Sequence, residues 1–60
     1  MDKLAKYPAV QAAEIKKYLE DGWIIDGEDP NDGQVLIHKG FSFRWIKPDG
    51  TSYAVSRYAL

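Results

Sequence analysis

The sequence predicts an α+β fold, with one N-terminal helix packed on one face of a small antiparallel meander of three or four strands. Good helix formers run without a break from Pro8 to Asp21, and after Gly22 the apolar residues change from helical to strand spacing. Near the C-terminus, aromatic and β-branched residues alternate with polar ones on both sides of Pro48-Asp49-Gly50, a strong strand-turn-strand signal. We therefore expect the 60 residues to form a single small α+β domain.

The predicted helix has a signal at each end. Pro8 suits the first helical position, where the N–H has no intrahelical partner, and Gly22 follows the last turn as a stop. Apolar residues recur every three or four positions and predict a narrow stripe that faces the sheet. The stripe consists of Ala12, Ile15 and Leu19, flanked by Tyr18. The residues predicted away from it are Val10 and, on the solvent side, Gln11, Glu14, Lys17 and Asp21.

Two short strands are predicted after the helix. The first runs from Trp23 to Asp26 and the second from Gln34 to His38, and residues 27–33 between them are dense in turn formers. The following Lys39-Gly40 pair permits either a tight turn or a bulge. The turn, which we favour, gives four strands; the bulge gives three, with residues 34–47 continuous.

The C-terminal hairpin specifies its own register. A type I turn at Pro48-Asp49-Gly50, with the glycine in the left-handed region, makes Lys47 and Thr51 the closing pair of the loop. The cross-strand pairs that follow are Trp45 with Tyr53, Phe43 with Val55, and Phe41 with Arg57.

This register also divides the hairpin into two faces, because successive side chains of a strand point to opposite sides. We expect the helix to cover the aromatic face, which carries Phe43, Trp45, Tyr53 and Val55. The opposite face is predicted to be the outer one, and it carries Ser42, Arg44, Ile46, Ser52, Ala54, Ser56 and Tyr58.

Composition limits the class of function. The net charge is −1, with the acids concentrated from Glu20 to Asp32 and a mildly basic C-terminal half. This half has four basic residues, which is far fewer than the Lys and Arg residues in surface patches that bind nucleic acid. The absence of cysteine excludes disulfides and cysteine-ligated zinc. Because the chain starts at an ordinary Met1 and shows neither a leader nor an apolar run near ~18 residues, we expect a cytoplasmic protein without membrane contact.

No pattern in the sequence predicts catalysis or a bound metal. The acidic loop before Gly33 has the composition of a calcium loop, but the EF-hand spacing places Pro30 at the third ligand position and Lys39 at the closing glutamate position. His38, the only histidine, has neither metal-ligand partners nor a nucleophile in a recognisable pattern. We therefore predict no catalytic residue, no metal and no cofactor.

Binding of another protein is the predicted function. Arg44, Ile46 and Tyr58 lie on the predicted outer face, with Lys47 and Arg57 reaching round from its ends, and Arg and Tyr are enriched at interface anchors. These five residues form the predicted partner-binding site. The alternative is a small nucleic-acid-binding module in which the same face tracks phosphates and stacks bases. A homodimer is a further expectation, since a core of this size is only marginally stable.

The end of the predicted helix, Leu19-Glu20-Asp21-Gly22-Trp23, is similar to helix ends that enter small sheets in several short bacterial and phage proteins. The resemblance covers residues 15–26 and transfers no site. From the small size, the absence of catalytic groups and the separation of acidic and basic residues, we expect a non-enzymatic intracellular regulator or accessory protein, and the resemblance implies a bacterial or phage origin.

Overall fold

The computed structural model describes residues 4–56, and within them the chain forms one helix and a four-stranded antiparallel sheet. The elements are α1 (Ala9–Glu20), β1 (Ile24–Glu28), β2 (Val35–Lys39), β3 (Ser42–Ile46) and β4 (Ser52–Val55). The strands lie side by side in chain order, each antiparallel to the next. The predicted α+β fold, with an N-terminal helix on a meander, is confirmed.

The C-terminal end of α1 closes in a Schellman motif. The N–H of Trp23 donates to the carbonyl of Tyr18 at 3.0 Å, and the N–H of Gly22 donates to that of Leu19 at 3.1 Å. Gly22 supplies the left-handed conformation of this motif, with φ of 98°. The Tyr18 and Trp23 rings meet edge to face, with centroids 5.3 Å apart, and provide the accompanying apolar contact. The predicted stop at Gly22 is confirmed.

A two-residue turn joins β2 to β3. Lys39 pairs with Ser42, which leaves Gly40 and Phe41 as the loop. Gly40 has φ of 60°, the sign that a type II′ hairpin turn requires at its first central position. The turn interpretation of this region is therefore correct, and the sheet has four strands.

The β3–β4 loop has the predicted form. The N–H of Lys47 donates to the carbonyl of Thr51 at 2.7 Å, and the N–H of Gly50 donates to the carbonyl of Lys47 at 2.9 Å. Gly50 has φ of 91°. The pairs Trp45–Tyr53 and Phe43–Val55 are confirmed, and the predicted pair of Phe41 with Arg57 lies partly outside the described residues.

The helix covers the opposite sheet face from the one that the sequence predicts. Ile46 is fully buried, and its carbonyl accepts a hydrogen bond from the Gln11 side chain of α1. Trp45 points to the other face and is only partly buried. The predictions that the helix covers the Trp45 face and that Ile46 points outward are therefore wrong. The buried cluster consists of Leu4, Ile15, Val35, Ile37 and Ile46, with Ala12, Tyr18 and Leu19 packed against it.

The reason for the reversal lies in β2. Val35 pairs with Ile46, and Ile37 pairs with Arg44, so both β-branched residues of β2 share the face of Ile46. Their compact β-branched side chains match the narrow apolar stripe around Ile15, which is also fully buried. The prediction compared only the side chains of the β3–β4 hairpin. Which face α1 covers depends on the side chains of β2 as well.

Gln11 is a second departure from the predicted pattern. It was expected on the solvent side of α1 but is fully buried. Its Nε2 donates to the carbonyls of Gly33 at 2.9 Å and Ile46 at 3.0 Å. Gln11 thus holds the start of α1 against both the end of the acidic loop and the end of β3. Val10, predicted away from the stripe, is 58% exposed.

The segment before α1 is attached to the end of β1. The Lys6 ammonium and the Tyr7 hydroxyl both donate to the Glu28 carboxylate, at 2.8 and 2.9 Å. These two hydrogen bonds lower the pKa of the Glu28 carboxyl. The bond to Glu28 raises the pKa of the Lys6 ammonium. The side chain of Leu4, in the same segment, enters the core.

Candidate binding surfaces

The sheet face turned away from α1 carries large apolar side chains, and within residues 4–56 no helix or strand packs over it. We call this surface the open face. The strand pairing arranges it as two rows across the sheet, Leu36, Trp45 and Tyr53 in one row and Ile24, His38, Phe43 and Val55 in the other.

The side chains of the open face are buried or partly buried at its centre and exposed to solvent at its edges. Leu36, in the centre, is 8% exposed, whereas Ile24 and Tyr53, on the edge strands, are 55% and 40% exposed. The His38 and Phe43 rings stack with centroids 5.5 Å apart and an interplanar angle of 22°. The open face is therefore an apolar surface whose exposed side chains, Ile24 and Tyr53, lie on the edge strands.

The open face has a negative charge at one edge and a positive charge at the other. Asp26 occupies the irregular position of β1 between Ile25 and Gly27, with its carboxylate 4.0 Å from the His38 Nε2. On the other side, the Lys47 ammonium lies 5.5 Å from the centroid of the Tyr53 ring. The face thus has an acidic edge at β1 and a basic edge at β4.

A second surface is a groove of about 370 Å³ beside the end of α1. We call it the Arg44 groove, and its lining consists of Trp23, Phe41, Ser42, Phe43, Arg44, Ala54 and Val55. It therefore extends to Phe43 and Val55 of the open face. Phe41, in the β2–β3 turn, is 83% exposed. Because side chains alternate along a strand, those of Ser42, Arg44 and Ala54 lie on the same sheet face as α1. Ser42 and Ala54 are exposed to solvent there.

Arg44 supplies the charge of this groove. Its guanidinium donates to the Ser52 hydroxyl at 3.1 Å and lies 5.7 Å from the centroid of the Tyr18 ring. The Nε of Arg44 is buried and has no hydrogen-bond partner among the described residues. No carboxylate of residues 4–56 lies within 4.0 Å of the guanidinium. The groove therefore contains a half-buried cation without a counter-charge among residues 4–56, and a carboxylate is the group that a guanidinium binds best.

The five residues predicted to bind a partner do not come together on one surface. Arg44 lies in the groove on the helix side, and Ile46 is buried beneath α1. Lys47 is exposed and lies beside the open face. Arg57 and Tyr58 lie outside the described residues. The role of Arg44 and Lys47 in binding stays a prediction. The prediction that they meet Ile46 on a solvent-exposed outer face is wrong, because Ile46 is buried under α1.

Sequence reasoning missed two residues of the groove. Phe41 was assigned to a strand, but it occupies the two-residue turn after Gly40. A large aromatic residue in so short a turn cannot reach the core, and this was the signal available in the sequence. Trp23 was expected in the core, and it both packs there against Tyr18 and lines the groove.

The described residues show no arrangement typical of a metal centre or a membrane span. Residues 4–56 contain no group of three or more His, Cys, Asp or Glu side chains placed to hold a metal ion. Nor is α1, the helix of this part of the chain, long and apolar enough to cross a bilayer.

Comparison with known proteins found no protein-family model, no curated protein and no solved structure that matches the chain. The open face and the Arg44 groove are therefore interpreted from their own chemistry.

Proposed function

We propose that this protein is a small non-enzymatic regulator or accessory protein that acts in the cytoplasm by binding another protein. The observation that carries the proposal is the half-buried Arg44 guanidinium, which has no carboxylate partner in the described part of the chain and lies in a groove with aromatic walls. The segment that fits this groove presents an Asp or Glu carboxylate next to an apolar side chain. The similarity of the helix end to short bacterial and phage proteins supports a bacterial or phage origin.

The charge argument depends on the position of Arg44. Part of the guanidinium is held by Ser52 and by the Tyr18 ring, so its orientation is fixed before a partner arrives. A carboxylate that binds the accessible N–H groups of the guanidinium, rather than the buried Nε, gains a charge-assisted hydrogen bond at a site partly shielded from water. Because the guanidinium is already ordered, binding costs little side-chain entropy.

The apolar argument depends on the walls of the groove. Trp23 and Phe41 flank the charge, and Phe41 is largely exposed. Aromatic residues and Arg dominate the binding energy of protein interfaces. An apolar side chain next to the bound carboxylate would bury these rings, so the groove selects a pair of neighbouring residues in the partner rather than a single charge.

The arrangement of charges supports protein binding over the nucleic-acid alternative. A surface that stacks nucleobases also needs Lys or Arg side chains to hold the phosphates. The edges of the open face carry one acid, Asp26, and one base, Lys47, while Arg44 lies on the other side of the sheet. Beside the groove, the Lys39 ammonium donates to the Asp21 carbonyl and lies 3.6 Å from the Asp21 carboxylate, so it is already paired with an acid.

Selection from a random peptide library tests the proposal. We expect the wild-type protein to enrich peptides in which Asp or Glu neighbours an aromatic or aliphatic residue. By calorimetry, Arg44→Gln should weaken a selected peptide at least about tenfold, which is the 1.4 kcal/mol that one charge-assisted hydrogen bond supplies. Lys47→Gln, the matched removal of a base on the other side of the sheet, should leave the affinity unchanged.

A peptide whose acid is replaced by its amide completes a double-mutant cycle. It should bind wild-type protein and Arg44→Gln equally weakly, because each change removes the same contact. Enriched peptides without an acid, or wild-type affinity in Arg44→Gln, would overturn the proposal. Capture from a lysate that is lost on nuclease treatment would favour the nucleic-acid alternative.

A further inference from the structure

The outer edge of β4 lies beside the Arg44 groove. β4 is the last strand in the order β1-β2-β3-β4, so no strand of residues 4–56 pairs with its outer side. Ala54 and Val55 belong to β4 and also line the groove. We propose that the acidic segment bound by the groove adds to the sheet as a fifth, antiparallel strand along β4, with its Asp or Glu opposite Ala54. This inference rests on the proposed function and adds the conformation and register of the ligand.

The backbone of Ala54 is oriented toward the outer side of β4. At the start of the hairpin, the N–H of Lys47 donates to the carbonyl of Thr51 at 2.7 Å, so these two residues form a hydrogen-bonded pair. Hydrogen-bonded and non-hydrogen-bonded pairs alternate along an antiparallel ladder. Tyr53 is therefore bonded to β3, whereas the N–H and C=O of Ala54 point away from β3. A residue opposite Ala54 on the outer side can exchange both hydrogen bonds with it.

The Arg44 side chain reaches the same place from the helix side of the sheet. Its guanidinium donates to the hydroxyl of Ser52 at 3.1 Å, so the charge extends from β3 to the edge strand. Ala54, the pairing partner of Arg44, is exposed and has only a methyl side chain. Residues directly opposite each other in a sheet share a face. An acid opposite Ala54 therefore lies on the side of Arg44, in a strand about 4.8 Å beyond β4.

The same register places the neighbours of the acid. The residues directly before and after it point to the open face, beside Val55 and Tyr53. Tyr53 is exposed, and Val55 lines the groove. The residue two positions before the acid shares the side of the acid and lies toward the β2–β3 turn, which contains Phe41. The ligand is thus an extended segment in which an acid stands between apolar residues.

The other edge strand does not suit this ligand. The pairing of β1 with β2 is irregular between Ile25 and Gly27, and a bulge of this kind disrupts pairing along an edge. β1 also contains Asp26 and Glu28, which disfavour an acidic segment. The register of β4 has no such irregularity, and its sequence Ser-Tyr-Ala-Val has no charge. The regular, uncharged edge is therefore the one that adjoins the Arg44 cation.

Backbone N-methylation of the ligand tests the strand. The probe is a short peptide centred on the acid of a sequence that the library selection enriches. Methylation of the acid's own amide should weaken binding at least about tenfold, because this N–H donates to the Ala54 carbonyl. Methylation of the amide directly before or after it should change the Kd by less than about twofold, since these N–H groups point away from β4. Calorimetry measures the alternation.

Ala54→Pro removes the matching donor from the protein. Proline is accepted in an edge strand where the N–H faces solvent, so the β3–β4 pairing should persist. We expect this variant to bind the unmethylated peptide at least about tenfold more weakly. Amide hydrogen exchange of the wild type gives a readout that needs no variant. The Ala54 amide should exchange as an exposed amide in the free protein and become protected in the peptide complex, whereas that of Tyr53 is protected in both.

The outcomes separate this inference from the proposed function. Binding that depends on Arg44 but shows no alternation on N-methylation, or no protection of the Ala54 amide, would overturn the strand and leave the groove as the site. A folded Ala54→Pro variant with wild-type affinity would do the same. Binding that does not depend on Arg44 would overturn both proposals. Protection of the Ala54 amide that rises with protein concentration, without peptide, would assign the edge to a second copy and overturn the strand.

Discussion

Gln11 shows how far a single residue can depart from its expected place. Its amide is fully buried because two carbonyls, of Gly33 and Ile46, require a donor at this point. These acceptors lie 22 and 35 residues further along the chain. A helical pattern contains no information about them, so the position was assigned to solvent from its polarity alone.

Replacing Gln11 by Ala should lower the free energy of unfolding by about 2 to 4 kcal/mol. The change leaves two carbonyls without their donor and opens a cavity under α1. Urea titration measures the loss. Lys16→Ala, on the exposed side of the same helix, should stay within about 0.5 kcal/mol of the wild type. Equal stability of the two variants would contradict the bridging role of Gln11.

The sequence allowed us to predict which type of residue binds, but not on which face of the sheet it lies. Arg44 was selected because Arg is common at interface anchors, and it does line a groove. Its side of the sheet was assigned by comparing residues within one hairpin, and that comparison omitted Val35 and Ile37. Trp23 and Phe41 join Arg44 only because the end of α1 and the β2–β3 turn come close in three dimensions.

At the scale of elements, local turn chemistry determines register. Gly50 adopts a positive φ after Pro48 and Asp49, and the pairs Trp45–Tyr53 and Phe43–Val55 follow from that loop. These features depend on a few neighbouring residues and could be predicted from the sequence. Which face the helix covers depends on β2 and α1 together, so the hairpin alone could not decide it.

The conformation of Gly50 leads to a prediction for the β3–β4 loop. Gly50→Ala should destabilise the protein by about 1 to 3 kcal/mol, because a side chain disfavours this φ and its Cβ would meet the Val10 carbonyl oxygen at 3.3 Å. Gly27→Ala is the control, since an added Cβ there meets nothing within 4 Å. Thermal unfolding compares the two variants. An equal shift in both would show that neither the φ nor the approach to Val10 matters.

At the scale of the whole molecule, the chain is a two-layer structure with two different sheet faces. The compact aliphatic face is closed by α1 around Ile15, whereas the aromatic face stays open. Both faces of the hairpin carry apolar residues, so alternation alone did not show which one a twelve-residue helix would cover. The fold class was predictable because the helix end, the turns and the periodicity agree on it. The number of strands stayed open at three or four, because Lys39-Gly40 fits either a turn or a bulge.

This division leaves two surfaces beside the core. The open face has its exposed apolar side chains on the edge strands. The Arg44 groove contains a guanidinium with no carboxylate partner among residues 4–56. Both surfaces depend on the placement of α1 over Ile46 rather than over Trp45.

The most direct test of that placement is a carbon-edited NOESY spectrum that measures short proton distances from the Ile15 methyl groups. The structure predicts cross-peaks from Ile15 to the methyl groups of Ile37 and Ile46, the buried neighbours in its cluster. It predicts none from Ile15 to the Trp45 indole, because Trp45 points to the sheet face away from α1. Cross-peaks between Ile15 and the Trp45 indole, without those to Ile46, would contradict the account.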